Sequence, residues 1–209
     1  MLKQHGVDAI YEVKELNHEE AIELFNWWAF KQNIPKPKED FESLSHCVVK
    51  YAKGLPIALK VLGVFLFGRK IDEWKSALHK LKKIPHKKVQ NVLKVSYDRL
   101  DDIEKEIFLD IVCFFKGKDK DFVSRILGRY AEIGIEVLHE RCLITISKNK
   151  LNMHDLLQQM GREIIRQECF KELGKRSRLW DSDDIDSVLT RNTVRAKHIL
   201  FKKLFIDII

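Results

Sequence analysis

Apolar residues recur at helical spacing through the first part of the chain, and this pattern predicts a series of amphipathic helices. The first helix is predicted to begin at Asn17, because an Asn followed three residues later by Glu20 is a capping-box pattern. Its apolar positions continue until Pro35 and Pro37, which break the helical pattern. The stretch before it, around Ile10–Leu16, is rich in branched and aromatic residues and predicts one strand.

Further helices are predicted between the prolines and about residue 100. One runs over residues 40–53 and is stopped by Gly54. The next begins at Pro56 and is apolar on almost every side, which is typical of a helix at the centre of a bundle. Asp72 is predicted to cap a fourth helix, and residues 89–100 supply another. The short connections between these helices favour an antiparallel bundle.

The pattern changes after about residue 101. Three helical segments are predicted at 102–115, 119–128 and 132–141. They precede two alternating runs on either side of Lys148-Asn149-Lys150, which is typical of a β-hairpin turn, and a further helix capped by Asp155. Three helices followed by a β-hairpin is the pattern of a winged-helix domain.

These elements predict a mainly α fold, in which a helical bundle is followed by a winged-helix domain with a small β-hairpin. A hydrophobic fraction of 45% beside 33% charged residues is typical of a folded protein, and the length suffices for two small domains. The predicted division is an N-terminal segment at 1–16, the bundle at 17–98, the winged-helix domain at 99–190 and a tail at 191–209.

No run of apolar residues is long enough for a membrane span, and charged residues interrupt the segment where a signal peptide would need its apolar stretch. The chain is therefore expected to be soluble and not secreted. The four cysteines are far apart and form no C-x-x-C pair, so we expect reduced thiols rather than a zinc site. They are Cys47, Cys113, Cys142 and Cys169.

The formal net charge of +7 raises the possibility of nucleic-acid binding, because a basic face is typical of that class. Much of the excess lies in the tail from Arg191 onward. A second basic cluster, at 79–88, lies where a helix is expected to end at Pro85, and cations are favourable at a helix end. Neither cluster requires a nucleic-acid partner.

A winged-helix DNA-binding protein would read the groove with its third helix, here about Glu132 to Arg141. That helix also carries Glu136 and Glu140, and three carboxylates there would repel phosphates. DNA binding is therefore the less favoured alternative, and we expect no specific nucleic-acid partner.

Catalytic motifs are absent from the sequence. No G-x-x-x-x-G-K-[ST] phosphate loop exists, and the nearest string, Gly174-Lys175-Arg176-Ser177, lacks the earlier glycine and is interpreted as a basic surface loop. There is no nucleophile elbow, no H-E-x-x-H helix and no distinctive carboxylate pair. We expect no enzymatic activity, and we assign neither catalytic nor metal-ligating residues.

The segment GLPIALK at 54–60 is a first candidate binding site. It has a sufficient structural explanation, because Gly ends one helix and Pro takes the first position of the next. The functional alternative is that the fixed φ of Pro56 and the missing side chain of Gly54 let backbone and ring pack flat against a planar base.

The segment Met153-His154-Asp155 is a second candidate. If Asp155 caps a helix, the first N–H groups and the positive end of the helix dipole can receive an anion. His154 stands beside that end with a ring nitrogen able to hydrogen-bond a phosphate. A His before a helix cap is also common for purely structural reasons.

Taken together, these segments resemble a known family. GLPIALK and the later MHDLLQQMGREI are similar to ordered motifs of the NB-ARC module of plant disease-resistance receptors, as are YEVKELNHEEAIELFNWWAF, VLKVSYDRLDDIEKEIFLDIVCFFKG and GKRSRLWD. The string FLDIVCFF resembles the subclass whose full receptors begin with a TIR domain and end in leucine-rich repeats. The resemblance covers about residues 7–193.

The resemblance implies a bound ADP or ATP. The proline of the family's GLP motif lies against adenine, which assigns that role here to Pro56 with Gly54 and Leu55. The family's MHD histidine contacts the β-phosphate of ADP, which corresponds here to His154, and Asp155 orders the turn. ADP then holds a closed, resting state, and exchange for ATP opens the receptor for assembly.

The family's phosphate loop, acidic Mg²⁺ strand and sensor arginine belong to a preceding α/β domain, of which only 1–16 resembles a remnant. The chain is thus expected to hold half of a nucleotide site, completed by that domain. Leucine-rich repeats would follow it in a full receptor, which would be cytoplasmic or nucleo-cytoplasmic and self-associate on activation. A passive interaction or decoy fragment stays open, since the basic, apolar tail at 191–209 could engage a partner helix or an anionic surface.

Overall fold

The computed structural model describes residues 15–31, 39–81 and 84–191. Pro35 and Pro37, most of the strand predicted at Ile10–Leu16 and nearly all of the tail lie outside the described residues. The chain divides into two compact units, Met1–Leu93 and Lys94–Ile209. The four domain ranges given above stay predictions.

Helices dominate the described residues, and the mainly α prediction with a small hairpin is confirmed. The helices up to residue 98 are α1 (His18–Phe30), α2 (Glu39–Ala52), α3 (Pro56–Leu66), α4 (Ile71–Leu81) and α5 (Lys87–Asp98). The later elements are α6 (Asp102–Asp110), a π-helical turn (Ile111–Phe115), α7 (Lys120–Leu127), α8 (Ala131–Glu140), β1 (Thr145–Ser147), β2 (Lys150–Asn152), α9 (Asp155–Glu168), a 3-10 turn (Leu173–Lys175) and α10 (Ser182–Thr190).

Helix α1 begins as the sequence predicts. The side chain of Asn17 accepts a hydrogen bond from the backbone N–H of Glu20, and the Glu20 carboxylate accepts one from the backbone N–H of Asn17. This reciprocal pair satisfies two amides that the first helical turn leaves without partners. The prediction for α4 is wrong in its starting residue, because α4 begins at Ile71 and Asp72 lies inside its first turn.

The core of the first unit is built around Trp74 of α4. The Trp74 ring packs against aromatic rings from α1 and α2, namely Phe25, Phe30 and Phe41. Its indole N–H donates to the carbonyl of Leu66 at 3.0 Å, so the one polar atom of this buried side chain has a partner. Aromatic burial therefore ties α4 to α1, α2 and the end of α3.

Helix α3 packs closely on α1 because Gly63 has no side chain. A Cβ atom at Gly63 would lie 2.6 Å from the Cβ of Trp28, so only glycine permits this approach. The opposite side of α3 is less covered than its apolar sequence predicts, since Val64 is 54% exposed. The helix buries one face and leaves another on the surface of the unit.

The second unit contains the predicted hairpin. Strands β1 and β2 are antiparallel, with Ile146 opposite Leu151, and the turn residues Lys148 and Asn149 have φ values of 51° and 61°. Residues 117–119 run along the other edge of β2, because Leu151 exchanges backbone hydrogen bonds with Gly117 and Lys118. The hairpin is thereby attached to the segment that leads into α7.

Two glycines bring the helices of the second unit together. A Cβ on Gly134 of α8 would lie 2.4 Å from Ile107 of α6, and a Cβ on Gly161 of α9 would lie 2.7 Å from Val112 in the π-helical turn. The side chains of Ile107 and Val112 therefore occupy the space that larger residues would need. This packing fixes α9, which carries the second candidate site, against α6 and the turn that follows it.

The string Gly174-Lys175-Arg176-Ser177 is not a basic surface loop, and that interpretation is wrong. Arg176 is only 6% exposed, and its guanidinium donates to the carbonyl of Cys169 and to the carboxylate of Asp184. A buried arginine needs such partners because an uncompensated charge is costly away from water. The segment after α9 is therefore held by arginines that point into the unit.

Arg178 has the same role two residues later. Its Nε donates to Asp110 at 2.7 Å, and its Nη2 donates to the carboxylate of Glu106 at 2.6 Å. Burial alone would lower the pKa of the Arg178 guanidinium, but the charge and hydrogen bond of Asp110 hold it above its ordinary value. This pair joins the segment before α10 to the end of α6.

Candidate functional site

The two candidate segments lie in different units, Gly54–Pro56 in the first and Met153–Asp155 in the second. Their assignment to a nucleotide site stays a prediction, and what the structure provides is the local conformation and the neighbours of each residue.

Gly54 is required by its backbone rather than by an exposed surface. Its φ is +75°, a conformation that residues with a side chain rarely adopt, and it is buried. A Cβ atom there would lie 2.4 Å from the carbonyl oxygen of Leu16, whose N–H donates to the Gly54 carbonyl at 3.1 Å. The close approach that Gly54 allows is thus to the chain before α1.

Pro56 is exposed at the first position of α3, and Leu55 is the residue that precedes the helix. Leu55 makes no side-chain cap, so the fixed φ of Pro56 starts the helix in its place. Of the three residues in this segment, Pro56 presents its ring on the surface of the unit and is the one suited to contact a flat ligand.

His154, not Asp155, caps α9, and the prediction that Asp155 is the cap is wrong. His154 has extended backbone angles, and its Nδ1 accepts a hydrogen bond from the backbone N–H of Leu156 at 3.1 Å. Asp155 is the first helical residue. Met153, which precedes them, is 6% exposed and belongs to the core of the unit.

The cap determines which ring nitrogen of a neutral His154 carries the proton. Because Nδ1 is the acceptor, the proton of the neutral ring lies on Nε2, which makes Nε2 the donor nitrogen of the ring. The cap also uses the amides at the helix start, since the N–H of Leu156 bonds the ring and that of Leu157 bonds the His154 carbonyl. An anion at this end would therefore depend on the imidazole more than on these two amides.

Asp155 is paired with Lys116. The Lys116 Nζ lies 2.5 Å from the Asp155 carboxylate and 3.1 Å from the side-chain oxygen of Gln158, which lies one turn further along α9. The side-chain amide of Gln158 in turn donates to the carbonyl of Val112 at 3.0 Å. These contacts fasten the first turn of α9 to the π-helical turn.

The π-helical turn explains how Lys116 reaches this position. The N–H of Lys116 bonds the carbonyl of Ile111, five residues back, so the turn is wider than an α-helical turn. Lys116 directly follows it, and Val112 within it supplies the carbonyl that Gln158 uses. Such turns are frequent at functional sites.

A second cation near Asp155 is Arg162, which lies on α9 itself. Arg162 stacks over the Trp180 ring at 5.6 Å, and its Nε is buried without a hydrogen-bond partner. Burial lowers the pKa of this guanidinium and the charge of Arg166 lowers it further, while the carboxylates of Asp181 and Asp155 oppose the shift. Lys116 and Arg162 thus place two positive charges near the Asp155 carboxylate, and Asp181 is a second carboxylate near Arg162.

The sequence did not reveal Lys116, Gln158 or Arg162 as neighbours of this site. One signal was present: His154, Gln158 and Arg162 are spaced four residues apart and so share one helix face. Lys116 has no comparable signal, because it comes from a different element, far earlier in the sequence.

Helix α8 occupies the position of a DNA-reading helix in the winged-helix pattern. Glu136 pairs with Lys120, while Glu132 and Glu140 are exposed and Ile133 is 64% exposed. The exposed residues of α8 are therefore acidic and apolar, which disfavours contact with a phosphate backbone.

All four cysteines are free thiols, and those of Cys47 and Cys142 are exposed. Burial raises the pKa of the Cys113 thiol to about 12, which keeps it protonated at neutral pH.

Every helix in the described ranges is too short or too polar to cross a membrane.

Comparisons with known proteins identify the family that this arrangement resembles. Residues 101–169 match the model described as Disease resistance protein Roq1-like, winged-helix domain. The chain is 54% identical over 193 residues to Disease resistance protein RUN1 of Vitis rotundifolia, covering 91% of this chain and 14% of that protein.

Two further relatives come from other plants. The chain is 45% identical to Disease resistance protein RPP2B of Arabidopsis thaliana, covering 92% of this chain, and 43% identical to TMV resistance protein N of Nicotiana glutinosa, covering 89%. In both cases it spans 16% of the relative's length. Sequence similarity thus extends through both units but over a small part of each relative.

Proposed function

Since this chain belongs to the TIR-type NLR family of plant disease-resistance proteins, we propose that it is one side of an ADP/ATP-dependent switch in which His154 senses the β-phosphate. The relatives are named for disease resistance, and the chain corresponds to a segment within them. The proposed role is regulatory, in defence signalling, and includes no catalysis.

The observation that carries the proposal is the hydrogen bond from Leu156 to the His154 ring. Asn, Asp, Ser and Thr are the preferred helix caps, and His is not among them. A capping residue that stabilises the helix less than these preferred residues do is characteristic of a functional position. Here the imidazole caps the helix through Nδ1 and carries its N–H on Nε2, which lies further from the backbone than the side-chain donors of Ser, Thr or Asn.

The charge around the cap supports the same role. An isolated carboxylate at Asp155 would repel a phosphate, but Lys116 neutralises it and Arg162 adds a further positive charge. The helix dipole also places partial positive charge at this end of α9. His154 therefore lies in surroundings that favour an anion.

The residues that would hold a nucleotide are His154 for the β-phosphate and the exposed ring of Pro56 for the base. Bound ADP supplies a negatively charged diphosphate that His154 can engage in one receptor state and lose in another. Only such a difference in contacts can shift a conformational equilibrium. One charge-assisted hydrogen bond of about 1.5–3 kcal/mol would change the closed-to-open ratio by roughly 10- to 150-fold.

The chain alone is not expected to hold ADP. Micromolar binding requires about 8 kcal/mol, and one phosphate contact supplies about 1.5–3 kcal/mol of it. The remainder is proposed to come from a preceding nucleotide-binding domain that carries the phosphate loop, with leucine-rich repeats following in a cytoplasmic receptor. The 209 residues contain no G-x-x-x-x-G-K-[ST] phosphate loop.

Calorimetry on two proteins tests this proposal. The 209-residue chain should show no micromolar ADP binding, whereas a receptor that contains it together with the upstream domain should retain ADP through purification. A micromolar dissociation constant for the chain alone would contradict the half-site proposal. Absence of ADP from the complete receptor would contradict the switch itself.

A further inference from the structure

The imidazole rings of His18 and His46 contact each other on the surface of the first unit. The Nε2 atom of His18 lies 2.8 Å from the Nδ1 atom of His46. Their ring planes differ by 7° and their centroids are 5.0 Å apart. Since the centroids are much further apart than the nitrogens, the rings meet edge to edge, with one nitrogen of each directed at the other.

The backbones that carry the two rings are well fixed. His18 is the first residue of α1, directly after the Asn17 cap, and His46 lies in the middle of α2. Both side chains are exposed, so solvent and small ions can reach the facing nitrogens. The pair therefore links two helices at a place accessible from outside.

We propose that His18 and His46 form a binding site for a divalent transition-metal ion of the Zn²⁺, Cu²⁺ and Ni²⁺ class, which bridges α1 and α2. Neutral imidazole nitrogen is the preferred protein ligand of these ions, whereas Mg²⁺ and Ca²⁺ prefer oxygen. The two nitrogens are already close to the separation that a shared ion needs. Zinc–nitrogen bonds of about 2.0–2.1 Å at a tetrahedral angle place the two nitrogens about 3.3 Å apart.

Binding needs rearrangement of the two side chains only. The nitrogens must separate by roughly half an ångström, and each ring must turn by about 35° so that its lone pair points at a tetrahedral ion instead of at the other nitrogen; exposed side chains can do both by rotation about their side-chain bonds. The N–H proton that now lies between the rings must move, through solvent, to the other nitrogen of the same ring. Both facing lone pairs are then directed at the ion, and two neutral rings bind it without net loss of a proton.

The site has two protein ligands. No cluster of three or more His, Cys, Asp or Glu side chains in the described ranges could hold a metal ion, so water completes the coordination. The ion is therefore expected to bind reversibly, in the affinity order Cu²⁺ above Ni²⁺ and Zn²⁺. An ion that joins two helices binds the folded unit and not the unfolded chain, so it should also raise thermal stability.

Titration calorimetry of the 209-residue chain with ZnCl₂ tests the proposal, with Cys reduced and MgCl₂ as a comparison ion. The chain should bind one more equivalent of Zn²⁺ than either His18→Ala or His46→Ala, and Mg²⁺ should give no heat at this site. His79→Ala removes another histidine of the first unit and Cys47→Ser removes the thiol next to His46, and both should bind as the unsubstituted chain does.

Thermal unfolding gives a second measurement. Saturating Zn²⁺ should raise the first unit's midpoint by a few degrees, and His18→Gln or His46→Gln should abolish that rise while keeping a polar side chain. If either alanine variant does not fold, the glutamine variant replaces it in the titration. Equal stoichiometry and affinity in the unsubstituted chain and both pair variants would overturn the proposal, as would absence of any Zn²⁺ binding at millimolar concentration.

Discussion

Lys116 holds the carboxylate of Asp155, with Nζ and Oδ1 2.5 Å apart, directly beside the histidine that caps α9. The lysine follows the π-helical turn, and the aspartate is the first residue of the helix that carries the proposed sensor. This pair therefore connects the packing of the second unit to the charge at the proposed phosphate contact.

Lys116→Met should weaken ADP retention in a complete receptor, because the Asp155 carboxylate would then face the phosphate without its neutralising partner. The effect on the stability of the unit should be small, about 0.5–1 kcal/mol, since both side chains are partly exposed. Lys116→Arg should restore retention, because it keeps the charge. Nucleotide content measured at matched receptor concentration, beside urea denaturation, separates these effects.

If Lys116 has a purely structural role, the two measurements on Lys116→Met should give a different result. In that case the methionine variant would unfold more easily and yet retain ADP in proportion to its folded fraction. Equal retention per folded molecule in Lys116→Met and the unsubstituted receptor would show that Lys116 has no role in ADP binding.

Arg178→Met should destabilise the second unit by about 3–5 kcal/mol, because it leaves the buried Asp110 carboxylate without its guanidinium partner. Arg69→Met is the matched control, since Arg69 pairs with Glu73 on the surface and should cost no more than about 1 kcal/mol. Urea denaturation followed by circular dichroism measures both. Similar small losses in the two variants would show that the buried pair is not needed for stability.

The sequence predicted the fold where local signals were sufficient. The Asn17 and Glu20 pattern correctly identified the start of α1. The polar run Lys148-Asn149-Lys150 correctly located the hairpin, but the turn is Lys148-Asn149, because Lys150 is the first residue of β2 and pairs with Ser147. Both depend on residues a few positions apart, whose interactions are largely independent of the rest of the chain.

Sequence-based prediction was wrong where contacts between residues far apart in the chain determine the local structure. Asp155 is a better helix cap than His154 by composition, but Lys116, 39 residues earlier, engages its carboxylate, and the histidine ring caps the helix. The arginines after α9 suggest a basic surface segment, because arginine is usually exposed. Arg178 instead pairs with Asp110, which lies 68 residues away, and no local pattern indicates that contact.

Gly54→Ala should be more destabilising than Gly68→Ala. Both glycines have positive φ, +75° and +71°, so both substitutions should incur a backbone cost of about 1–2 kcal/mol. Only at Gly54 would a new Cβ clash with a neighbour, because the Leu16 carbonyl oxygen lies 2.4 Å from its position. This clash should add about 1–3 kcal/mol to the loss of stability. Urea denaturation of the two variants measures the difference, and equal losses would show that the chain before α1 adjusts freely.

The first unit should lose stability in mild acid through His86. Burial lowers the pKa of His86 from its ordinary 6.5, and Lys88 and Lys80 lower it further. The unfolded chain therefore binds a proton that the folded chain resists, so this contribution is present above about pH 6.5 and is lost as pH falls toward the folded value. The ring also packs against Phe65 at 4.7 Å.

Replacement of His86 by Phe tests this pH dependence, since the variant keeps an aromatic ring against Phe65 but cannot be protonated. Between about pH 7.5 and about pH 5.5, the thermal midpoint should fall further in the unsubstituted chain than in His86→Phe. An equal fall in both proteins would assign the acid sensitivity to other groups.

The proposed sensing of the β-phosphate by His154 can be tested with His154→Asn in a complete receptor, with His154→Ala beside it. Asn is a good helix cap, so the new amide side chain should replace the Nδ1 acceptor and keep stability, whereas the alanine variant should lose about 0.5–2 kcal/mol. Both variants lack the imidazole Nε2 donor.

The decisive measurement is the ADP retained by the His154→Asn receptor after purification, at matched folded protein. This receptor should unfold at the same urea concentration as the unsubstituted receptor and yet bind ADP roughly 10- to 150-fold more weakly, as expected for one lost charge-assisted hydrogen bond. Unchanged ADP retention per folded molecule in both His154→Asn and His154→Ala would contradict the sensing role, because neither variant has the Nε2 donor and alanine has no side-chain donor at all.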